Sequence, residues 1–415
     1  MRISEAPDES TIKYMSDGIR HVCDSIEPRT SGSQGETDAQ KYFSDELGGF
    51  ADEVKTEEFT VHPRAKSGSA VLIGLLMTFS ALIFILNKWT SGKADIIYPA
   101  AATLFAFAAL LIYVYEQLFR RQFIDFLFKK AVSRNVFAVR NSSGETSRRI
   151  VICAHADAAE ENRWYAAENR AAEFASRVLA PAGSVISVLI CFAYTFTDAK
   201  SVSGIWLAGA ILMLCFLPCY AALMFSGSRK KVSDGANDDL SGCFTAIALM
   251  KLLAERELRF EHTQVCCLIT GSNEAGLRGA AAFAKKHSAE MKKIETVFIS
   301  AEALFDIDEL TACTSDSAKI TKSGERATEL LVTAAENLGR DIDKRPMYCG
   351  ASDSAAFSAA GFEATALSAA KKPPQKYYHT HFDSWNTTNP ECISEGLNIL
   401  LETVMIYDKI GLRSF

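Results

Sequence analysis

The stretch Ile150-Val151-Ile152-Cys153-Ala154-His155-Ala156-Asp157 decides how this chain is read. Five apolar residues in succession, three of them β-branched, make a strand buried on both faces, as in the middle of a parallel sheet. The His-x-Asp that follows falls at the strand's carboxyl end, where open α/β sheets bind their ligands. An imidazole there can ligate a metal, and an acid two residues on can orient it. Alone, His-x-Asp after a strand is more often a satisfied polar turn, so the weight rests on what lies downstream.

Three further motifs carry acids or histidine: Gly235-Ala236-Asn237-Asp238-Asp239-Leu240-Ser241-Gly242, Gly271-Ser272-Asn273-Glu274-Ala275-Gly276-Leu277-Arg278-Gly279, and Tyr378-His379-Thr380. Singly, Asp238 reads as an N-cap for a helix starting near Leu240, and Glu274 with Gly276 as an ordinary strand-to-helix turn. In this order, and with Arg29-Thr30-Ser31-Gly32-Ser33 ahead of them, they resemble the co-catalytic di-zinc aminopeptidase family, which includes glutamate carboxypeptidase II, glutaminyl cyclases and the transferrin-receptor ectodomain.

The resemblance implies a zinc metallopeptidase that hydrolyses peptide bonds with a water activated by two zincs per chain. It implies that His155 binds one zinc, Asp238 bridges both, Glu274 and His379 bind the second, and Glu302 completes the first. Asp157 would position His155, Tyr378 would donate to the developing oxyanion, and Ser352-Asp353-Ser354 would form a substrate-side loop. The interval from His155 to Asp238 exceeds the family spacing, and an apolar insertion accounts for the surplus. His381, two residues past His379, would face the other way in extended chain; Tyr377 and Trp385 are expected to pack.

Two departures qualify the resemblance. Where the family has a Glu-Glu pair, base then ligand, this chain has Asn273-Glu274, and an amide cannot take a proton from water. Loss of a general base typically costs roughly 10²- to 10⁴-fold; Asp239, Glu160 and Glu161 are the nearby substitutes in sequence, the alternative being water alone. Glu302 stands where aspartate is usual, and its neighbour Ala301 cannot ligate. Two other functions follow from the gap at 273: a catalytically impaired metal- or peptide-binding pseudo-peptidase, or a hydrolase or transferase acting on a non-peptide amide.

The chain has 415 residues, 48% of them hydrophobic, a high share for a soluble enzyme. Four runs without an acidic or basic side chain supply the excess: Ala70 to Leu86, Ile96 to Tyr115, Val178 to Phe196 and Val202 to Phe225. A helix of about 20 apolar residues crosses a bilayer core, and the runs pair across the short links Asn87 to Asp95 and Thr197 to Ser201. They read as two transmembrane hairpins inserted into one peptidase-like domain. The expected division is 1–66, 117–176 and 228–415 for that domain, with hairpins at 67–116 and 177–227.

Basic residues near the spans favour a cytoplasmic domain: Arg64, Lys66, Arg120, Arg121, Lys129, Lys130, Arg177, Arg229, Lys230 and Lys231 lie on its side, against Lys88, Lys93 and Lys200 at the tips. Eleven cysteines, without a Cys-x-x-Cys spacing, suit a reducing compartment. Met1 to Gly49 holds no apolar core of a signal peptide. A net charge of −6 offers no field for nucleic acid, so the expected partners are a peptide or amide substrate and the lipid bilayer, with oligomeric state open.

The remainder alternates. Helices are expected within Glu5 to Leu47, at Leu240 to Glu257, Leu277 to Lys292 and Ser323 to Leu338. Strands are expected at Glu53 to Val61, Gln264 to Thr270 and Thr296 to Ala301, and as a pair at Asn135 to Val139 and Arg149 to Ala154 across Asn141-Ser142-Ser143-Gly144. The fold class is α/β, a zinc-aminopeptidase-like, mostly parallel central sheet flanked by helices and interrupted by two transmembrane helical hairpins.

Overall fold

The alternation of side chains along one strand sets up two cores. In a computed structural model, which describes residues 7–196, 203–371 and 377–415, Arg148–His155 is a strand. Its Ile150, Ile152 and Ala154 enter a core with Phe244, Ile299 and Leu397. Val151 and Cys153 enter the opposite one with Phe283, Phe298 and Phe357. A strand with no polar face must have helices on both sides, and it does.

The strands are β1 Glu53–Val61, β2 Ala131–Arg140, β3 Arg148–His155, β4 Glu160–Asn162, β5 Gly227–Val232, β6 Thr263–Thr270, β7 Glu295–Glu302, β8 Thr311–Cys313, β9 Asp343–Arg345 and β10 Glu363–Ser368. Eight form one sheet in the order β1-β2-β6-β3-β7-β10-β8-β9, while β4 pairs with β5. The centre, β6-β3-β7-β10, is parallel; β1-β2, β2-β6 and β10-β8 are antiparallel. The mostly parallel α/β sheet read from the sequence is the one formed.

One pairing differs. The sequence predicts β2 and β3 side by side across Asn141 to Gly144, but β6 lies between them, antiparallel to β2 and parallel to β3. The linker explains the switch: Ser143 and Gly144 donate their backbone N–H groups to the carbonyls of Phe260 and Glu261, at 2.8 and 3.1 Å. Those bonds fix the chain that leads into β6 rather than closing a hairpin.

The expected helices form at Glu9–Ser25, Gln34–Gly48, Ser241–Glu255, Arg278–Met291 and Glu325–Asn337. Backbone contacts divide the chain into two units, one from the described residues of Met1–Pro63, Lys130–Glu160 and Lys231–Phe415, the other from Arg64–Lys129 and Glu161–Lys230. The second unit holds four helices long and apolar enough to cross a membrane: Ala65–Trp89, Ala94–Leu118, Arg170–Phe196 and Gly204–Met224. Small residues let them approach. Ala102, Ala106 and Ala109 are fully buried, whereas Leu104 and Phe107 on the same helix are exposed. The link Thr197 to Ser201, with Lys200, and the first residue of the fourth run, Val202, lie outside the described residues.

Candidate metal centre

Strand ends and one helix start converge at the carboxyl edge of the sheet. His155 closes β3, Glu302 closes β7, Glu274 follows β6, Asp238 precedes the helix Ser241–Glu255, and His379 comes from the segment between β10 and the helix Pro390–Ile410. The Nε2 atom of His155 lies 3.5 Å from Asp238 Oδ1 and 3.9 Å from Glu302 Oε1. The Nε2 atom of His379 lies 3.3 Å from the other oxygen of the same carboxylate, Asp238 Oδ2, and 3.1 Å from Glu274 Oε1. Two three-residue groups, His155–Asp238–Glu302 and Asp238–Glu274–His379, thus share Asp238.

These donors fit zinc. Two of their atoms, His155 Nε2 and Asp238 Oδ2, are buried without a hydrogen bond, an arrangement that costs stability unless a ligand completes it. Ligands about 2.1 Å from a tetrahedral zinc stand about 3.4 Å apart, in the range of the observed separations. Charge points the same way. Burial, then the charge of Asp239, pushes the Glu302 carboxyl well above its ordinary value; burial does the same to Asp239. Burial would lower His379, but the charge of Glu274 and the bond to Asp238 outweigh it and hold the imidazolium up to about 9. A divalent cation would relieve this crowding of acids.

A ring of further groups fixes the donors. The Asp157 Oδ1 atom accepts from Asn273 N at 2.8 Å, and its Oδ2 accepts from Glu274 N at 3.0 Å and Ser31 Oγ at 2.7 Å. The backbone carbonyl of Asp157 lies 2.9 Å from His155 Nδ1, which leaves Nε2 facing Asp238. Asp238 does not cap the helix, whose N-cap is Leu240; the adjoining Asp239 accepts from Gly242 N at 3.2 Å, from His155 N at 3.1 Å and from Ala303 N at 3.2 Å. Gly242 is needed for this, because a Cβ there would stand 2.4 Å from Asp239 Oδ1 and 2.3 Å from the Ala301 carbonyl. Asp239 is therefore occupied by three amide donors, and Glu160 and Glu161 sit in β4, outside both groups.

Sequence reading passed over two acids. Asp383 holds the Asp238 loop, accepting from Asn237 N and Nδ2 at 2.8 Å each and from Asp238 N at 3.1 Å. Glu36 accepts from Gly32 N at 2.7 Å and from Ser272 N at 2.6 Å, joining the Arg29 to Ser33 turn to the loop after β6. Burial, with the charge of Asp157, pushes the Glu36 carboxyl up to about 8. Its signal was present: Ser33-x-x-Glu36 is a capping-box pattern, and Ser33 does cap Gln34–Gly48. Arg29 adds bonds to the carbonyls of Ala156 and Gly235, at 2.9 and 3.3 Å.

Asn273 lies buried at the site, its Nδ2 donating to Asp353 Oδ1 at 2.8 Å. Thr270 holds the other Asp353 oxygen. Tyr378 stacks on His379 with ring centroids 4.0 Å apart and joins Glu302, Thr311, Arg345, Met347 and Tyr348 in lining a small, partly open cleft. Tyr377 is buried against Phe305, and His381 packs on Phe382, outside both acid–histidine groups.

A sheet of this order with acids and histidines at its carboxyl edge is similar to the fold of solved zinc aminopeptidases. The zinc aminopeptidase BSAP from Bacillus subtilis matches with a TM-score of 0.56 at 14% identity, over 98% of this chain and 96% of that one. An aminopeptidase from Aneurinibacillus sp. strain AM-1 gives 0.55 at 14%, over 95% and 93%, and a glutaminyl cyclase from an Acidobacteriales bacterium 0.53 at 13%, over 99% and 98%. At such identities the likeness is one of fold. The model of peptidase family M28 matches residues 224–404, the part that carries Asp238, Glu274, Glu302 and His379. The family read from the motifs is the one matched, and family and fold together support a zinc peptidase. No curated protein matches the chain in sequence.

Proposed function

We propose that this chain is a membrane-anchored, zinc-dependent metallopeptidase of aminopeptidase type, with two zincs per chain and its peptidase unit on the cytoplasmic side. The observation that carries the reading is the Asp238 carboxylate, which turns one oxygen toward His155 and the other toward His379. His155, Asp238 and Glu302 would hold one ion, and Asp238, Glu274 and His379 the other. Bound zinc supplies Lewis acidity and a water acidic enough to attack an amide near neutral pH.

The rest falls to the chain's own groups. Asp157 keeps His155 in the tautomer that leaves Nε2 free to ligate. Tyr378, whose ring stacks on His379, would donate its phenolic proton to a developing oxyanion, and the cleft beside Glu302 would take the substrate's leading side chain. Asn273 cannot accept a proton, so transfer from water must end on another acid; the one bound to its amide is Asp353. That same amide–acid bond favours the second reading, a binding protein that has kept the donors without the base.

The anchoring rests on the four apolar helices, and the orientation on the basic residues at their domain-side ends. One preparation tests the whole: zinc content and hydrolysis of a panel of aminoacyl reporter peptides, measured on detergent-purified wild type and Asp238→Ala. About two zincs per chain with turnover abolished by the substitution is the expected result. Zinc without turnover on any peptide would favour the binding protein, and no zinc would overturn the site.

A further inference from the structure

Between the second apolar helix and β2 lies a segment, 119–130, that the peptidase reading leaves unused. It is not helical beyond the single turn Asp125–Leu127, yet it is firmly built. The buried Glu116 carboxylate accepts from Phe123 N at 2.6 Å and Ile124 N at 2.7 Å. Ile124 plugs the core of the helical bundle beside Met77 and Ile112, Phe123 stacks on Tyr115 at 5.0 Å, and the ring of Phe128 packs over Gly68.

A segment held this tightly still turns its largest apolar groups outward. Phe126 is 78% exposed and Leu127 57%, with Phe119 and Phe123 exposed beside them. Basic residues flank the apolar tip on both sides: Arg120 and Arg121 before it, Lys129 and Lys130 after it, the last three exposed. An outward apolar tip on a fixed backbone is costly in water, and aromatic residues ringed by cations suit the headgroup layer of an anionic membrane. The occupant follows from continuity, because this segment leaves the end of an apolar helix, Ala94–Leu118.

We propose that 119–130 is a third membrane contact, an interfacial wedge whose Phe126 and Leu127 enter the acyl boundary while Arg121, Lys129 and Lys130 meet lipid phosphate. It rests on the membrane reading of the four helices and adds to it a preference for anionic phospholipid. The wedge fixes depth where helices alone permit sliding and tilt.

The test uses the full chain in vesicles of phosphatidylcholine, with and without phosphatidylglycerol. In a Phe126→Trp variant, lipid brominated near the headgroup should quench the added emission, more so with phosphatidylglycerol present. Tryptic cleavage at Arg121 and Lys129 should be slowed about ten-fold or more by the anionic vesicles relative to detergent. Phe126→Ser with Leu127→Ser should remove that protection without changing the melting temperature. A chain that does not float with vesicles overturns the membrane spans themselves. One that floats, with the introduced indole unquenched and the tryptic sites open, overturns the wedge alone. An added emission that is blue-shifted but unquenched assigns the tip to a protein partner and also overturns it.

Discussion

A single carboxylate, that of Asp238, stands between the two histidines of this site, one oxygen toward each. Asp238→Ala removes a donor from both three-residue groups, so metal content should fall from about two zincs to at most one, read by atomic emission on the purified chain. Metal must also displace a proton from His379, which keeps it up to about pH 9 in the metal-free site. Affinity should therefore rise with pH through that range, roughly ten-fold per unit for each proton displaced. A competition titration with a zinc chelator across that range checks it, and a pH-independent affinity counts against the donor set. Asn273→Glu should raise turnover by about 10²-fold or more if a missing base limits the rate. Because Asp353 stands 2.8 Å from the amide, the new acid would share a proton with it, and the activity optimum should move as well. Legibility differed by residue. His155, Asp238, Glu274, Glu302 and His379, which the structure brings together, could be named from motifs because they stand at strand ends and tight turns with local signatures. Asp383 acts by accepting backbone amides from a loop far away in sequence, which nothing local announces; Glu36 carries a local capping-box signal, but its reach to Ser272 does not show in it.

At the scale of elements, the strands and helices followed from period and turn residues, whereas their neighbours did not. β3 was evident from its own apolar run; that β6 sits between it and β2 depends on bonds from Ser143 and Gly144 to residues more than a hundred positions away. Packing makes its own demands. Phe244, on Ser241–Glu255, is fully buried, and its ring lies where a Cβ on Gly18 would fall. Phe244→Ala should destabilise the peptidase unit by about 3–5 kcal/mol, seen as a lower melting temperature, and Gly18→Leu should do so by overpacking. In the helical unit, a Cβ on Gly74 would meet Met224 at 2.2 Å. Gly74→Leu should loosen that bundle and leave the zinc content unchanged, a separation that the same emission measurement can read.

For the whole molecule, apolar runs and their pairing disclosed the four long helices, but the link at Thr197 to Ser201 falls outside the described residues and no run of charges states an orientation outright. Reporter fusions at Thr90 should report a non-cytoplasmic tip, with the carboxyl terminus cytoplasmic; a cytoplasmic Thr90 would reverse the assignment. The division of the chain has a further result for biosynthesis. The peptidase unit is assembled from three separate stretches, with a helical stretch made after each of the first two. On the ribosome, β1 emerges first and must wait through one insertion, β2 and β3 through a second, before β6 can be laid between them. His379 is the last of the five candidate donors to leave the tunnel, so the proposed centre cannot assemble until both apolar stretches have been made. No single proteolytic cut at a junction between the units would afterwards release the first unit as one piece, because three stretches of chain compose it.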